Sequence, residues 1–203
     1  MKYIRLILAP LMLVALISPA LAEKLPLSEI STYLNGLKTA ETGFRQINAD
    51  GSVSTGTLFI RRPGRMRFEY AAPDRTVVLA SGGQVAIFDG KSNQPPEQYP
   101  LKRTPLNLIL ASKVDLSRAK MVVAHSEAGA LTVVTAQDPK YPELGTLQLG
   151  FSANPIALRQ WVVTDETGGQ TRVELQALKT GQTYQSSLFS INSEVERRSR
   201  KNN

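Results

Sequence analysis

The residues able to do acid–base, nucleophilic or metal chemistry are few and scattered in this sequence. The chain has one histidine, His125, and no cysteine, whereas a zinc or similar site draws on several such ligands. The G-x-S-x-G turn that exposes a hydrolase serine does not occur in the sequence, and His125 lacks partners in the required roles. Four acids adjoin turn-forming residues, which is typical of turn chemistry: Asp89, Asp138, Asp165 and Glu166. The inventory therefore predicts neither an enzyme nor a metal protein.

Arginine is the one chemically versatile residue that clusters. Four arginines lie around a Pro-Gly turn between two alternating apolar segments, within residues 56–89: Arg61, Arg62, Arg65 and Arg67. A guanidinium donates up to five hydrogen bonds in a fixed fork. Large apolar side chains on one strand face, with arginine at its edge, suit an apolar ligand better than catalysis.

The N-terminus predicts export. Lys2 and Arg5 precede an apolar run at residues 6–17, and small residues follow up to Ala22. This is the pattern of a signal peptide cleaved after Ala22, because the apolar run is shorter than the roughly 20 residues that span a bilayer. The net charge of +7 favours anionic membrane surfaces or acidic proteins over nucleic acid as partners of an exported chain.

The spacing of apolar residues predicts the helices and strands that position these side chains. Apolar residues three and four apart predict a helix at residues 26–39, and Thr104-Pro105 opens a short apolar helix to Ala111. Alternation and turn residues predict strands at about residues 53–61, 65–71, 75–81 and 84–89, with more strands between 119 and 192.

One domain at residues 23–193 is therefore expected, mainly β with short helices, followed by a charged, frayed tail at 194–203. A curved antiparallel sheet of ten or eleven strands would place its apolar concave face beneath the helices. Both a closed barrel and an open half-barrel fit this pattern.

Several motifs resemble the outer-membrane lipoprotein carrier family, LolA. Those that carry the resemblance are Gly43-Phe44-x-Gln46, Gly56-x-Leu58, Arg62-Pro63, Phe68-x-Tyr70, Pro73, Ser81-Gly82-Gly83-x-Val85, Phe88-Asp89 and Thr104-Pro105-Leu106-x-Leu108-x-Leu110. The resemblance spans about residues 27–192 and is strongest at 43–111.

The resemblance implies an unclosed antiparallel barrel of about eleven strands covered by a helical lid. It also implies a monomeric periplasmic chaperone without enzymatic activity or cofactor. Such a protein binds the acyl chains of triacylated lipoproteins, receives them from an inner-membrane ABC transporter and delivers them to an outer-membrane receptor.

An acyl-chain cavity of this kind would be lined by the apolar strand faces and by the short second helix. The strand candidates are Leu58, Ile60, Met66, Phe68, Tyr70, Val77, Leu79, Val85, Ile87, Leu147, Leu149, Phe151, Trp161 and Val163, and the helix candidates are Leu106, Leu108, Ile109 and Leu110. Met66 would add adaptable volume to this wall.

Arg62 matches the arginine that, in the family, links a strand edge to backbone groups of the lid. The resemblance therefore implies that Arg62 is a lid latch, which ligand would open by competition. Its neighbours Arg61, Arg65 and Arg67 are expected to form a basic rim that docks on acidic partners.

Three other functions compete with the lipoprotein shuttle. A carrier of another amphiphile, such as a glycolipid, would use the same apolar cavity. A sensor of mislocalised lipoproteins on the same fold would carry a second domain of about a hundred residues, for which this chain has no room. A lipid or glycan hydrolase is disfavoured by the residue inventory.

Overall fold

A computed structural model describes residues 24–92, 94–104 and 106–201. The predicted signal peptide and Pro105 lie outside the described residues. The strands are Thr39–Ile47 (β1), Val53–Arg61 (β2), Arg65–Tyr70 (β3), Val77–Ser81 (β4), Gln84–Phe88 (β5), Glu97–Pro100 (β6), Val122–Ala128 (β7), Leu131–Ala136 (β8), Thr146–Ala153 (β9), Ile156–Thr164 (β10), Gln170–Leu175 (β11) and Lys179–Thr180 (β12). The helices are Leu27–Gly36 (α1), Leu106–Leu110 (α2) and Ile191–Lys201 (α3).

All twelve strands form one antiparallel sheet that does not close. Its order is β6-β5-β4-β3-β2-β1-β11-β10-β9-β8-β7, and the two-residue β12 adds to β1. Strands that pair are consecutive in the chain except at β1, which pairs with β11 and β12 as well as with β2. The edges β6 and β7 pair with one neighbour each, so the open half-barrel is confirmed over the closed one.

Helices α1 and α2 lie on one face of the sheet and share its main core. Ile30 and Leu34 of α1 are completely buried, in line with the predicted apolar stripe. The helix ends at Gly36, before the predicted end, because the chain turns into β1, where Thr39 already pairs with Arg61. Among the described residues, no helix combines the length and apolarity needed to cross a bilayer.

The C-terminal segment packs on the opposite face of the sheet, hereafter the outer face. A 3-10 turn at Ser186–Phe189 covers a second apolar cluster made of Val77, Leu79, Ala86, Phe88 and Phe189. Phe59, Tyr184, Leu188 and Ile191 pack against this cluster. The sheet is therefore sandwiched locally between the lid helices and the C-terminal segment.

The prediction of a frayed tail is wrong for the residues described. Residues 191–201 form α3, and Glu194 is only 3% exposed. The cause is charge pairing: arginines from both the sheet and α3 surround that carboxylate. A charged segment that finds such partners is ordered by them and need not be solvated.

Gly145 should be among the least replaceable turn residues. Its φ is +97°, and a Cβ there would lie 1.8 Å from the carbonyl oxygen of Thr164. We expect Gly145→Ala to lower the free energy of unfolding by about 2–4 kcal/mol in urea titration, because the backbone must shift. Gly168→Ala is the matched control, since φ is +83° but the Cβ meets nothing within 4 Å; it should cost about 1 kcal/mol. Equal losses would contradict this account.

Candidate functional site

The inner face of the sheet carries the candidate site, and α1 and α2 cover it. Alternate residues of β1 to β5 and of β8 to β11 point to this face, because directly paired residues of neighbouring strands share a face. Most of the predicted lining residues meet there in one buried cluster: Leu58, Ile60, Met66, Phe68, Val85, Leu108, Ile109, Leu110, Leu147, Leu149, Phe151 and Trp161. Tyr70 and Leu106 are partly buried against it.

An aromatic row runs through this cluster. The Phe44 ring lies edge-to-face with those of Phe68 and Tyr70, at centroid distances of 5.5 and 5.0 Å. Phe68 continues the row to Trp161 at 5.8 Å. These contacts make one continuous wall across β1, β2, β3 and the β11–β10 pair. The predicted set does not include Phe44, although its alternation with Gly43 and Arg45 in β1 indicates the same face as Thr42.

Tyr70 adds a hydroxyl to this wall without adding charge. Burial and the nearby Asp74 carboxylate raise the pKa of Tyr70 to about 12, although its hydrogen bond with Gln46 works in the opposite direction. The hydroxyl donates to Gln46 Oε1 at 2.6 Å. The phenol therefore stays neutral, and the wall remains apolar at ordinary pH.

The prediction that Val77 and Leu79 line the inner face is wrong. Val78 pairs directly with Phe68, and Ala80 pairs with Met66, so these two residues of β4 face inward. Val77 and Leu79 belong to the outer cluster beneath the C-terminal segment. Residues 77–80 are all apolar because both faces of β4 are covered, and alternation could not decide which pair faced the lid.

Two further predicted residues share the inner face without joining the buried cluster. Ile87 pairs with Val78 and is half-buried. Val163 pairs with Leu147 near the end of β10 and is 38% exposed. Both lie at the margin of the inner face.

Arg62 lies where β2 turns into β3, against the C-terminal end of α2. One guanidinium nitrogen donates to the Ala111 carbonyl at 2.6 Å, and the Gly64 N–H donates to the Leu110 carbonyl at 2.8 Å. Arg62 is 9% exposed, and its Nε is buried without an acceptor among the described residues. Burial lowers the pKa of Arg62 below its ordinary value. This buried cation therefore contacts the end of α2 but has few acceptors of its own.

The N-terminal end of the lid is tied to the other half of the sheet. The Leu25 N–H donates to Thr132 Oγ1 at 2.9 Å, and Nε2 of His125 lies 2.9 Å from the Leu25 carbonyl oxygen. The sole histidine thus takes part in a backbone contact. Among the described residues, no group of His, Asp and Glu is arranged to hold a metal ion.

The expected basic rim does not include Arg67. Arg67 is buried on the outer face, where it donates to Glu194 at 2.9 Å and to Glu69 at 2.6 Å. Arg61 contacts the Tyr184 carbonyl and Ser186 Oγ, both at 3.4 Å. These arginines hold the C-terminal segment, a role that their sequence positions did not indicate.

Known proteins resemble the chain over most of its length. The family model for outer membrane lipoprotein carrier protein LolA matches residues 35–192. An outer-membrane lipoprotein carrier protein of Methylococcus capsulatus is 27% identical over 180 residues, covering 83% of this chain and 84% of the relative. One of Pseudomonas syringae pv. syringae is 23% identical over 197 residues, covering 93% and 94%.

Among solved structures, a LolA superfamily protein of Nitrosomonas europaea is 8% identical, with a TM-score of 0.42. That alignment covers 82% of this chain and 98% of the other. The family model spans more than half of the sequence, including β1 to β12. The chain belongs to the outer membrane lipoprotein carrier protein LolA family.

Proposed function

We propose that this protein is a periplasmic chaperone that binds the acyl chains of lipoproteins between its inner sheet face and the α1–α2 lid. It would receive them from an inner-membrane ABC transporter and pass them to an outer-membrane receptor, without catalysis. The observation that carries the proposal is the continuous apolar cluster under two short helices, which joins both halves of an open sheet.

Acyl chains need such a shelter because each methylene exposed to water costs about 0.8 kcal/mol. Side chains fill the inner face here, and Leu58, Ile60 and Phe151 are completely buried. Ligand entry therefore requires α1 and α2 to move away from the sheet. The exchange replaces apolar protein contacts with apolar lipid contacts, so neither loading nor release needs to be strongly uphill.

Arg62 would act as the latch of the closed state. Its hydrogen bond to Ala111 and the neighbouring Gly64–Leu110 bond lie at the lid edge. Because the guanidinium is buried and under-satisfied, the contact stabilises closure without making it permanent. Acyl chains that occupy the cavity would compete with this contact.

Export and partner choice are supported by different features of the chain. The predicted signal peptide would deliver it to the periplasm. The excess of positive charge would favour acidic surfaces on the donor and receptor proteins. The names of the relatives point to lipoproteins as cargo.

Trp161 offers a direct test, because it is the only tryptophan in the chain and lies in the inner cluster. We expect a synthetic triacylated peptide with brominated acyl chains to quench Trp161 fluorescence, since bromine quenches by contact. The non-brominated peptide should bind without quenching.

The matched control moves the reporter to the outer face. In a Trp161→Phe/Phe59→Trp variant, the tryptophan would lie beside Tyr184, under the C-terminal segment. Its emission should be unaffected by the brominated chains. Equal quenching at both positions would refute an inner acyl site, and quenching by a brominated glycolipid alone would favour a carrier of another amphiphile.

A further inference from the structure

Helix α1 and the segment that follows α2 are hydrogen-bonded to each other. Asn35 uses both ends of its amide: Nδ2 donates to the Val114 carbonyl at 2.8 Å, and Oδ1 accepts from the Val114 N–H at 2.9 Å. One turn earlier on α1, Ser31 Oγ accepts from the Leu116 N–H at 3.0 Å. Three bonds therefore join two parts of the chain that lie about eighty residues apart.

The backbone groups at this junction are buried, which makes the junction costly to break. Val114 is 4% exposed and Leu116 is 1% exposed. A buried N–H or carbonyl that loses its partner bears its full desolvation penalty. Separation of α1 from residues 112–116 would leave several such groups unpaired at once.

Besides the Leu25 contacts with β7 and β8, the sheet is hydrogen-bonded to this pair of elements at two separate places. At one place, the Gly64 N–H and the Arg62 guanidinium donate to Leu110 and Ala111. At the other, the Leu158 N–H of β10 donates to the Tyr33 hydroxyl of α1 at 3.2 Å. Strands β2, β1 and β11 lie between β3 and β10, so the two attachments are on opposite halves of the sheet.

We propose that Asn35 is a positioning residue that fuses α1, α2 and residues 111–116 into one lid body, which leaves the sheet as a unit. Release at the Arg62 edge is then transmitted to the distant Tyr33 attachment. The role of this lid movement in cargo binding rests on the proposed function. The coupling itself is a property of the ligand-free protein and is testable without cargo.

Native-state hydrogen exchange of the exported chain tests the coupling, since Gly64 and Leu158 each donate one amide proton from the sheet to the lid. We expect Arg62→Leu to reduce the protection of both amides by a common factor, about tenfold or more. In the double variant Asn35→Leu/Arg62→Leu, only the Gly64 amide should lose that protection relative to Asn35→Leu alone.

Controls separate coupling from general destabilisation. Asn107 lies on α2, and its side chain makes no hydrogen bond with the described residues. The variant Asn107→Leu/Arg62→Leu should therefore behave as Arg62→Leu does. Amides of the β1–β2 ladder should keep their protection throughout. Loss of protection at Gly64 alone in Arg62→Leu would overturn the single lid body. Absence of acyl binding in the Trp161 experiment would instead refute the carrier function and leave the exchange result standing.

Discussion

Replacement of Glu194 by glutamine is expected to lower the free energy of unfolding by about 3 kcal/mol, because it breaks a buried ion-pair network. The Glu194 carboxylate is 3% exposed and accepts from Arg67 and Arg198, each at 2.9 Å, and from Arg197. Arg67 is itself buried, so loss of the charge leaves its guanidinium with only the half-exposed Glu69 as a carboxylate partner. Urea titration followed by circular dichroism measures the loss.

A matched control lies two residues along the same helix. Glu196 is 67% exposed and meets Arg200 at 3.8 Å. Surface pairs of this kind contribute about 0–1 kcal/mol, so Glu196→Gln should change stability by less than about 0.5 kcal/mol. Similar losses in the two variants would show that the Glu194 network does not anchor α3.

The same network predicts a pH dependence. Burial disfavours charge on Glu194, but hydrogen bonds from Arg197, Arg198 and Arg67 outweigh it, so the pKa of Glu194 lies below its ordinary value. A lowered pKa in the folded state means that the stabilisation is fully present above the ordinary glutamate pKa of about 4.3. It is lost as the pH falls through the lowered folded value. We expect the stability difference between Glu194→Gln and the wild type to be full above the ordinary glutamate pKa of about 4.3 and to narrow as the pH falls below it, in urea titrations at a series of pH values.

Replacement of Arg62 by leucine should produce a carrier that loads acyl chains and fails to release them. In the proposed mechanism, the Arg62–Ala111 hydrogen bond stabilises only the closed lid, so ligand would have to compete with it. Without this competition, ligand affinity should rise by about ten- to a hundredfold, the equivalent of one hydrogen bond from a charged group. Titration of brominated triacylated peptide against Trp161 fluorescence gives the affinity, and dilution into unlabelled acceptor vesicles gives the release rate.

Arg65→Leu controls for loss of positive charge near the same turn. Arg65 is half-buried at the start of β3, opposite Arg61, and is not the residue that contacts Ala111. Its replacement should leave affinity and release within about twofold of wild type. If Arg62→Leu released its ligand at the wild-type rate, the latch would be refuted.

Strand alternation predicted most of the sheet because each strand presents one face to a large apolar core. It succeeded for Leu58, Ile60, Met66 and Phe68, which lie beneath the lid as expected. It failed at Val77 and Leu79 because β4 is covered on both faces. A continuous apolar run does not indicate which of its residues face the lid. The turn residues located the hairpins well, since chain reversal depends on local backbone geometry.

The sequence by itself determined that the chain builds an antiparallel sheet with apolar helices on one face. The family motifs implied that the sheet is open and placed Arg62 at the edge of the lid. Both follow from local periodicity and short-range motifs. Only the tertiary structure decided that the charged C-terminus folds into α3, that Arg67 supports it, and that Asn35 joins the two lid segments. These outcomes depend on partners far apart in the chain: Arg67 and Glu194 differ by 127 in residue number, and Asn35 and Val114 differ by 79. From the sequence alone, an isolated polar residue is expected to be solvated. It is buried only where the folded sheet brings a matched partner into contact with it.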